Sequence, residues 1–365
     1  MTRIADLPTP ALLLDLDALE ENLGRMAARA RSLGVALRPH IKTHKCIEIG
    51  ERQRALGVAG LTVSTLYEAR VFADHGFNDL TWAFPVILNR IPEAAALADR
   101  ITLHLVVDTA EAVAALQQTG HHFRVFLKLD CGYHRAGMDP QSDVALEVAG
   151  TIAGSRTLTF DGILTHSGHS YHGRSPAEIC GIAEQERSVM ADFAARLRDV
   201  GIKVPNVSVG STPAMSQAVK LDGITEARPG NYAFYDYTQV VLGACAPRDC
   251  AVTVLASVVS AQAGNNHAVI DAGALSLSKD VGSEFAPQKS MGEIFADYAA
   301  GTLHQDLRVS SVSQEHGVVS GPLPVGALVR ILPNHSCLTA AQFDEYVVVR
   351  GDDVVDRWKI WRGRD

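Results

Sequence analysis

The sequence predicts an α/β protein in two parts, a (β/α)8 TIM barrel over residues 1–245 and a mostly antiparallel β domain over residues 246–365, with packing of residues 1–10 on the β domain as an alternative for that segment. A chain of 365 residues exceeds what a single hydrophobic core usually supports. In the first two thirds, apolar runs alternate about eight times with Ala/Glu/Arg-rich helical stretches, the pattern of parallel β/α units. From about Cys245, strand-like runs follow one another with turn residues and no long helical insert, which favours antiparallel pairing.

The barrel elements are short apolar runs followed by amphipathic stretches. The first run covers residues 11–16, after which Leu19, Leu23 and Met26 recur at helical spacing behind a candidate N-cap at Asp17. Further barrel strands are predicted at residues 35–38, 60–64, 80–84, 101–107, 123–129, 158–165, 206–210 and 224–228, with a long helix at 177–199. Strands of the β domain are predicted at residues 251–259, 267–272, 327–332 and 345–350.

Composition narrows the class of function. Apolar residues make up 47% of the chain and charged residues 20%, enough for packed cores and unlike a disordered protein. The net charge of -8 opposes nucleic acid as a partner. The most apolar stretch, residues 251–263, is too short to span a bilayer, and the first residues lack an apolar leader. We therefore expect a cytoplasmic protein without membrane partners, whose six scattered cysteines are free thiols.

The densest group of polar side chains follows the second predicted strand. Arg38, His40, Lys42 and His44 would share one face at the barrel mouth if the extended backbone continues. A solvated basic loop is the alternative. A metal site on the two histidines is a weaker interpretation, because their spacing suits a helix and Pro39 favours extended backbone.

The run Arg38-Pro-His-Ile-Lys-Thr-His-Lys resembles the cofactor attachment site of the fold-type III pyridoxal-phosphate enzymes, in the branch of the D-serine dehydratases and D-threonine aldolases. The resemblance extends over essentially the whole chain and implies a barrel of the alanine racemase type. It also implies that Lys42 binds pyridoxal 5'-phosphate covalently and acts as the catalytic base, roles for which a lysine amine is suited.

Later motifs carry the same resemblance, namely Asp130-Cys-Gly-Tyr-His-Arg-Ala-Gly, Gly162-Ile-Leu-Thr-His-Ser-Gly-His-Ser-Tyr and Glu226-Ala-Arg-Pro-Gly-Asn-Tyr. By likeness to alanine racemase, Arg135 bonds the phenolic oxygen of the cofactor. His166 supports Arg228, which faces the pyridine nitrogen. The residues that the resemblance assigns to the cofactor are Lys42, Arg135, His166, Tyr171, Gly210, Ser211, Thr212, Arg228, Gly230 and Asn231.

The phosphate of the cofactor is assigned to two loops. Val209-Gly-Ser-Thr-Pro resembles a phosphate loop, and its amides and hydroxyls precede a helix that begins near Pro213, which suits an anion. By itself such a Gly-Ser-Thr run is more often an ordinary turn. The backbone amides of Gly230 and Asn231 are the second contribution. Tyr171 packs near the cofactor on this interpretation, and plain core packing is the alternative.

The β domain contains a candidate metal site. His335 and Cys337 stand two residues apart at a predicted strand end and would share one face. A buried thiol beside a hydrogen-bonded histidine is the alternative, because structural zinc has four ligands. Pro333-Asn-His-Ser-Cys resembles the metal motif of this branch, and imidazole with thiolate suits Zn2+, with Mn2+ or Mg2+ as alternatives. Glu315 and His316 would orient the site or lie in a surface loop.

The combined parts imply a lyase that eliminates water from a D-configured β-hydroxy amino acid, giving a 2-oxo acid and ammonia. D-Serine, D-threonine and threo-3-hydroxy-D-aspartate are the expected small-molecule substrates. An arginine opposite the pyridine nitrogen weakens the cofactor as an electron sink, which suits elimination. Racemases of this fold use a tyrosine from the C-terminal domain as a second base, and Ala274 stands at the corresponding position, which disfavours racemisation.

Three other functions stay open. Retro-aldol cleavage to glycine and an aldehyde uses the same parts, although a thiolate ligand favours elimination. A non-catalytic pyridoxal-phosphate carrier is less consistent with the additional β domain, and a zinc hydrolase without an organic cofactor would not need Lys42.

A second substrate carboxylate could meet His169, His172 or Arg174. By resemblance, we expect a homodimer.

Overall fold

The computed structural model describes residues 2–262, 264 and 266–364. The strands are β1 (Ala11–Asp15), β2 (Ala36–Leu37), β3 (Leu61–Val63), β4 (Asp79–Pro85), β5 (Thr102–Val107), β6 (Phe123–Lys128), β7 (Leu158–Leu164), β8 (Asn206–Val209), β9 (Glu226–Ala227), β10 (Val252–Ser260), β11 (His267–Ile270), β12 (Gly292–Asp297), β13 (Thr302–Val312), β14 (Gly317–Ser320), β15 (Leu328–Leu332), β16 (Glu345–Arg350) and β17 (Asp353–Lys359). The helices are α1 (Leu16–Ser32), α2 (Ile47–Ala55), α3 (Leu66–Asp74), α4 (Ile91–Ala98), α5 (Ala110–Gln118), α6 (Asp143–Ala153), α7 (Pro176–Asp199), α8 (Thr212–Gln217), α9 (Tyr237–Val241), α10 (Ala274–Leu277) and α11 (Ser336–Ala340).

One compact unit, the barrel unit, comprises Met26–Lys42, Gln53–Gly230 and the described residues from Gly363. Its strands pair in parallel in the order β2-β9-β8-β7-β6-β5-β4-β3. A further parallel bridge between His40 and Thr62 joins the two ends of this order and closes the barrel. The predicted parallel barrel is therefore confirmed for the described part of the chain. The loops that follow the strands meet on one face, where barrel enzymes place their active sites.

The sequence of the barrel strands explains their position. All residues of β6 except Arg124 are buried, because a parallel strand is covered by the barrel core on one face and by helices on the other. Hydroxyl side chains then start the helices by accepting a hydrogen bond from a first-turn amide. These caps are Thr65, Thr109, Ser142, Ser175 and Ser211. They fix the point at which each strand-to-helix loop ends.

The second compact unit, the β unit, comprises the described residues up to Arg25, Thr43–Arg52 and Asn231–Arg362. Its strands pair in the order β11-β14-β13-β12-β15-β10-β1-β16-β17, and an additional pairing of β10 with β11 closes the first six into a ring. Most pairings are antiparallel, as predicted, while β1 and β16 run parallel.

The N-terminal strand corrects the sequence-based assignment. The run at residues 11–16 is not a barrel strand, since β1 pairs with β10 and β16 in the β unit. An apolar run followed by a helix looks the same in either setting, so periodicity could not distinguish them. The first helix also begins earlier than predicted, because the Asp15 carboxylate, not Asp17, accepts the amide of Ala18. The domain boundary also differs from the one expected at residue 245. The longest segment of the β unit starts at Asn231, and two earlier segments of the chain belong to the same unit.

Several strands of the β unit had no sequence signal strong enough to predict them, namely β12, β13, β14 and β17. In β13 only two side chains are buried, Leu307 and Val309, so apolar residues do not form a run. In the part of the chain that the structure covers, no helix is both long and apolar enough to cross a membrane. All cysteines lie among the described residues and are free, as predicted.

Candidate active site

Lys42 lies where the sequence placed it, after the second strand at the carboxyl-terminal face of the barrel. It belongs to the 3-10 turn Ile41–Thr43 that follows β2, and its side chain is exposed. The backbone before it is fixed against the last barrel strand. The amide of Arg38 donates to Ala227 O at 2.9 Å, and the amide of His40 donates to Pro229 O at 3.0 Å.

Two histidines near Lys42 are held neutral. Burial holds the pKa of His166 well below its usual range, and nearby cations depress it further, in the order Lys42, Arg135 and Arg228. Burial likewise holds the pKa of His40 well below its usual range, and the charges of Lys42 and Arg228 act in the same direction. The predicted residues Lys42, Arg135, His166 and Arg228 therefore share one positively charged environment.

Tyr133 organises this group and was missed by the sequence analysis. The guanidinium of Arg135 lies 4.9 Å over the Tyr133 ring. The edge of that ring meets His166 at a centroid distance of 6.0 Å, and His169 stacks on it at 6.3 Å. A Cβ at Gly168 would collide with the Tyr133 ring. Tyr133 stands two residues before Arg135 in the same motif, and that position was the available signal.

His169 is a buried polar side chain with unused hydrogen-bonding capacity. Both of its ring nitrogens are buried without a hydrogen bond from any described residue. Burial lowers its pKa, so the ring is neutral and offers one donor and one acceptor. Tyr171, His172 and Arg174 lie nearby along the chain, the first two in the 3-10 turn Gly168–His172. Tyr171 is partly buried, whereas His172 and Arg174 are exposed.

The predicted phosphate loop is only partly as expected. Gly210 follows β8 with φ +109°, which glycine adopts readily. Its amide is not exposed, because it donates to Glu186 Oε1 at 3.1 Å. The hydroxyl of Ser211 accepts the amide of Ala214 at 3.2 Å and lies 2.7 Å from the hydroxyl of Ser170. Thr212 is buried at the first position of α8.

Glu186 joins the loops after β7 and β8. Besides the amide of Gly210, its Oε1 accepts the amide of Ser167 at 3.0 Å, and its side chain is buried. Burial raises the pKa of Glu186, although these amides and the charge of Arg228 oppose the rise. The sequence held a usable signal, since Glu186 follows Ile179 and Ala183 on the apolar face of α7.

Arg228 follows β9 and is buried. Its guanidinium donates to the hydroxyl of Ser208 and to the backbone oxygen of Thr165. Gly230, also buried, is the last residue of this segment in the barrel unit, and Asn231 is the first residue of the next segment in the β unit. Among the described residues, Asn231 Oδ1 has no hydrogen-bond partner although it is buried.

In the β unit, His335 and Cys337 lie together, but not on a strand as predicted. The strand β15 ends at Leu332, and the pair instead begins the short helix α11, with His335 as its N-cap residue. His335 Nδ1 lies 2.9 Å from Asp280 Oδ2. Cys337 Sγ lies 3.4 Å from Thr43 Oγ1 and 3.7 Å from Asn231 Nδ2.

The charges around this pair are mainly negative. Burial lowers the pKa of His335, but Cys337 and Asp280 outweigh it and raise that pKa to about 11. Burial raises the pKa of Cys337, but the neighbouring His335 outweighs burial and lowers that pKa overall. The buried carboxylate of Asp236 accepts the amide of Ser336 at 3.0 Å and adds to this field.

The pair suits a cation with an incomplete set of protein ligands. Over residues 2–262, 264 and 266–364, no three His, Cys, Asp or Glu side chains converge as metal ligands. Imidazole and thiolate are donors for zinc, and a carboxylate bonded to the other ring nitrogen is the usual partner of a metal-binding histidine. The residues present therefore fit a divalent ion whose remaining ligands are substrate or water. Glu315 and His316 are exposed in the turn between β13 and β14.

The barrel residues fit an anionic cofactor. The lysine and two arginines around His166 provide a field that favours phosphate and phenolate oxygens. Gly210 provides space for close approach, since a Cβ there would lie 3.2 Å from the amide nitrogen of Arg228. The unpartnered nitrogens of His169 leave hydrogen-bonding capacity for a ligand.

Two family models match the chain in succession. The model for alanine racemase, N-terminal domain, matches residues 14–238, and the model for a putative serine dehydratase domain matches residues 251–349. Both matches agree with the division into a parallel barrel and an antiparallel β region.

Full-length relatives are lyases. D-threo-3-Hydroxyaspartate dehydratase from Delftia sp. strain HT23 is 36% identical over 374 residues, covering 98% of each chain. D-Serine dehydratase from Dictyostelium discoideum is 36% identical over 384 residues, covering 96% of each chain. D-Threonine aldolase from Arthrobacter sp. is 30% identical over 369 residues, covering 98% of this chain and 93% of the aldolase.

The solved structure of the Delftia dehydratase superposes with a TM-score of 0.95 at 35% identity and covers 100% of both chains. Solved structures of D-threo-3-hydroxyaspartate dehydratase also include a cysteine-to-alanine mutant in a metal-free form and a histidine-to-alanine mutant, with the mutated positions two residues apart.

Proposed function

Because the chain belongs to the D-serine dehydratase branch of the pyridoxal-phosphate enzymes with the alanine racemase fold, we propose that it eliminates water from a D-configured β-hydroxy amino acid. The products are a 2-oxo acid and ammonia. One structural observation carries the proposal: Lys42, Arg135 and Arg228 all act on the buried, neutral imidazole of His166. That arrangement matches a lysine-bound anionic cofactor.

Pyridoxal 5'-phosphate, when bound, withdraws electrons from the bonds at the substrate α-carbon. Lys42 would hold the cofactor, and its amine nitrogen would accept the α-proton of the substrate. His166 and His40 remain neutral, so neither adds positive charge beside Lys42. The Tyr133 ring contacts the guanidinium of Arg135, which would donate to the phenolic oxygen of the cofactor.

Arg228 is compatible with elimination, and Ala274, at the position of the racemase tyrosine, is the residue that disfavours racemisation. The Arg228 guanidinium only donates hydrogen bonds, so opposite the pyridine nitrogen it would not supply a proton to that nitrogen. The electron sink is then weaker, and departure of a group from the β-carbon is preferred to a long-lived α-carbanion. The residues that would hold the phosphate are Ser211, Thr212, Gly230 and Asn231. The Gly210 amide is excluded from that set, since it donates to Glu186.

His335 and Cys337 are the residues that hold the metal ion, which we infer to be Zn2+, with Mn2+ or Mg2+ as alternatives. The ion supplies a Lewis acid for the substrate β-hydroxyl, a poor leaving group at neutral pH. Asp280 orients His335 through Nδ1, leaving Nε2 for the ion. The metal-free cysteine mutant of the relative supports this assignment, because the mutated histidine and cysteine have the same spacing there.

Retro-aldol cleavage is the second candidate, since a D-threonine aldolase is also a full-length relative. Its identity of 30% is lower than the 36% of both dehydratases, which favours dehydration. The thiolate of Cys337 points the same way, as a softer ligand that suits zinc.

Incubation of the purified protein with D-threonine distinguishes the two reactions. We expect 2-oxobutanoate and ammonia, whereas glycine with acetaldehyde would establish the aldolase. A panel of D- and L-isomers of serine, threonine and 3-hydroxyaspartate, with and without added zinc, then identifies the substrate and tests the metal.

For the assembly and location, we infer a cytoplasmic homodimer with small-molecule substrates and neither nucleic acid nor membrane as a partner. The net charge of -8 supports the exclusion of nucleic acid. Light scattering at micromolar concentration tests the dimer, which predicts about twice the chain mass of 39.1 kDa.

A further inference from the structure

A chain of buried hydrogen bonds runs through the barrel interior to Arg228. Arg228 donates to the hydroxyl of Ser208, which lies on the neighbouring strand β8. Ser208 Oγ in turn donates to Glu226 Oε1 at 2.5 Å. The Ser208, Glu226 and Arg228 side chains are all buried, with at most 6% of any of these residues exposed, so water does not compete for these bonds.

The direction of each hydrogen bond in this chain is determined by chemistry. A guanidinium can only donate and a carboxylate can only accept. Ser208 has one hydroxyl proton, and the neighbouring carboxylate of Glu226 takes it. The lone pairs of Ser208 therefore face Arg228, and the negative charge of Glu226 is transmitted to the guanidinium through one polarised hydroxyl.

Glu226 is itself fixed by a second arginine. Arg38 Nε donates to Glu226 Oε2 at 2.9 Å, and the other side of the Arg38 guanidinium pairs with Asp79. A Cβ at Gly60 would collide with both Arg38 and Asp79, so glycine at this position leaves room for the ion pair. Arg38 therefore shares its positive charge between two carboxylates, Glu226 and Asp79, and does not fully neutralise Glu226.

The chain continues to the amino-terminal end of the barrel. His104 Nε2 lies 3.1 Å from Asp79 Oδ1, and His104 Nδ1 lies 2.5 Å from Asp161 Oδ2. Asp161 also accepts two hydrogen bonds from Arg124, at 2.6 and 3.1 Å. These contacts anchor the Arg38 end of the hydrogen-bond network. At the other end, Arg228 donates to the backbone oxygen of Thr165 and to Ser208, and of these two partners Ser208 is the one that Glu226 orients.

We propose that Glu226, acting through Ser208, is a positioning residue for Arg228 and sets the direction in which the guanidinium presents its remaining N–H groups. The inference rests on the proposed function, in which Arg228 faces the pyridine nitrogen of the cofactor. Without the carboxylate, the Ser208 hydroxyl is free to rotate its proton toward Arg228, where two donors then meet. The guanidinium turns away, and its hydrogen bond to the cofactor weakens.

A purely structural role is the competing explanation. Buried ion pairs often stabilise a fold little relative to apolar side chains, because desolvation offsets their attraction. A structural role would lower the melting temperature and leave the bound cofactor unchanged. A positioning role changes the electronic state of the cofactor, which its visible absorption reports.

The test compares holoenzyme variants Ser208→Ala, Glu226→Gln and the double variant with the wild type. Thr81→Val is the matched control, since Thr81 is a buried hydroxyl residue on β4 whose Oγ1 has no partner among the described residues. Visible absorption is recorded against pH, and the cofactor dissociation constant is measured by equilibrium dialysis. Ser208→Ala removes one oxygen atom, so it serves if the Glu226 variant does not fold.

We expect Ser208→Ala and Glu226→Gln each to move the pH midpoint of the cofactor absorption by about 1 unit and to weaken cofactor binding roughly tenfold. The double variant should resemble either single one, because both break the same connection. Thr81→Val should match the wild type.

If Ser208→Ala lowers the melting temperature and leaves the cofactor absorption unchanged, the hydrogen-bond network only stabilises the fold. That result would overturn the inference while the proposed function stands. A shift of the same size in Thr81→Val would overturn it as well. Failure of the wild-type protein to bind pyridoxal phosphate would overturn the proposed function together with this inference.

Discussion

Two histidines, one in each compact unit, lie in electrostatic surroundings of opposite sign. Burial and the charges of Lys42 and the two arginines push the pKa of His166 down. In the β unit, burial is outweighed by Cys337 and Asp280, and the pKa of His335 rises to about 11. The first environment favours an anion and the second favours a cation. On the proposed function, the first region would bind the anionic cofactor and the second the metal ion.

The difference arises from how each unit supplies its side chains. In the barrel, parallel strands end on one face and deliver Lys42 and Arg228 from the adjacent strands β2 and β9. In the β unit, loops between antiparallel strands bring Asp280 to His335. Hydrophobic periodicity alone predicts neither the position of Asp280 nor that of Arg228, although the charges of these side chains determine the chemistry of the two regions.

The largest effect is expected for Lys42→Ala, which removes the amine at the centre of the cationic region. Cofactor attachment should be lost and turnover should fall at least ~1000-fold. Lys45→Ala is the matched control, because it removes a lysine three residues further along the chain. Mass spectrometry after borohydride reduction locates the attachment, and a cofactor adduct that persists in Lys42→Ala would break the account of this region.

The shape of the cationic region is tested next by Gly210→Ala. Gly210 has φ +109° and its added Cβ would lie 3.2 Å from Arg228 N, so we expect a loss of about 1–3 kcal/mol in unfolding free energy and weaker cofactor binding. Gly201→Ala shares the positive φ, at +83°, but has nothing within 4 Å of its Cβ.

The comparison between these glycines separates backbone strain from the local contact. Chemical denaturation and equilibrium dialysis measure the two effects. Gly201→Ala should lose stability and retain cofactor affinity. Equal loss of cofactor affinity in both variants would show that the close approach of Gly210 to Arg228 does not affect cofactor binding.

A smaller effect is expected in the pH dependence of stability, through Lys128. Burial and the charge of Arg135 lower its pKa to about 8. Between pH 8 and its ordinary value near 10.5, the unfolded chain holds a proton that the folded protein has lost, so unfolding free energy should rise with pH. The rise is at most about 1.4 kcal/mol per pH unit.

Lys128→Met should flatten this rise relative to the wild type, measured by urea denaturation between pH 8 and 10. Below pH 8 the wild type carries the full cost of a buried charge, so the variant should be the more stable protein there. An identical slope in the two proteins would show that neither burial nor Arg135 lowers the pKa of Lys128.

Periodicity predicted the parallel barrel and the long helix α7 well, since buried parallel strands and amphipathic helices leave clear patterns. It misassigned β1 because an apolar run does not reveal which sheet receives it. The motif around Lys42 and Arg228 predicted which residues would be gathered. It could not show that the Gly210 amide is bound by Glu186, a residue on a distant helix.

The β unit was harder to predict from sequence. His335 and Cys337 are recognisable as a pair, but their helical setting depends on where β15 ends. Asp280 and Asp236 approach them from loops remote along the chain, and no local pattern marks those contacts. Long-range polar contacts of this kind are visible only in three dimensions.

The most direct test of the two oppositely charged regions is to remove the cation alone. Purified holoenzyme is dialysed against a chelator, and metal content, visible cofactor absorption and turnover of D-serine, D-threonine and threo-3-hydroxy-D-aspartate are measured on the same sample. We predict that metal and turnover are lost together, that the cofactor remains bound, and that Zn2+ restores activity. Turnover by metal-free protein, or loss of the cofactor along with the metal, would contradict the account.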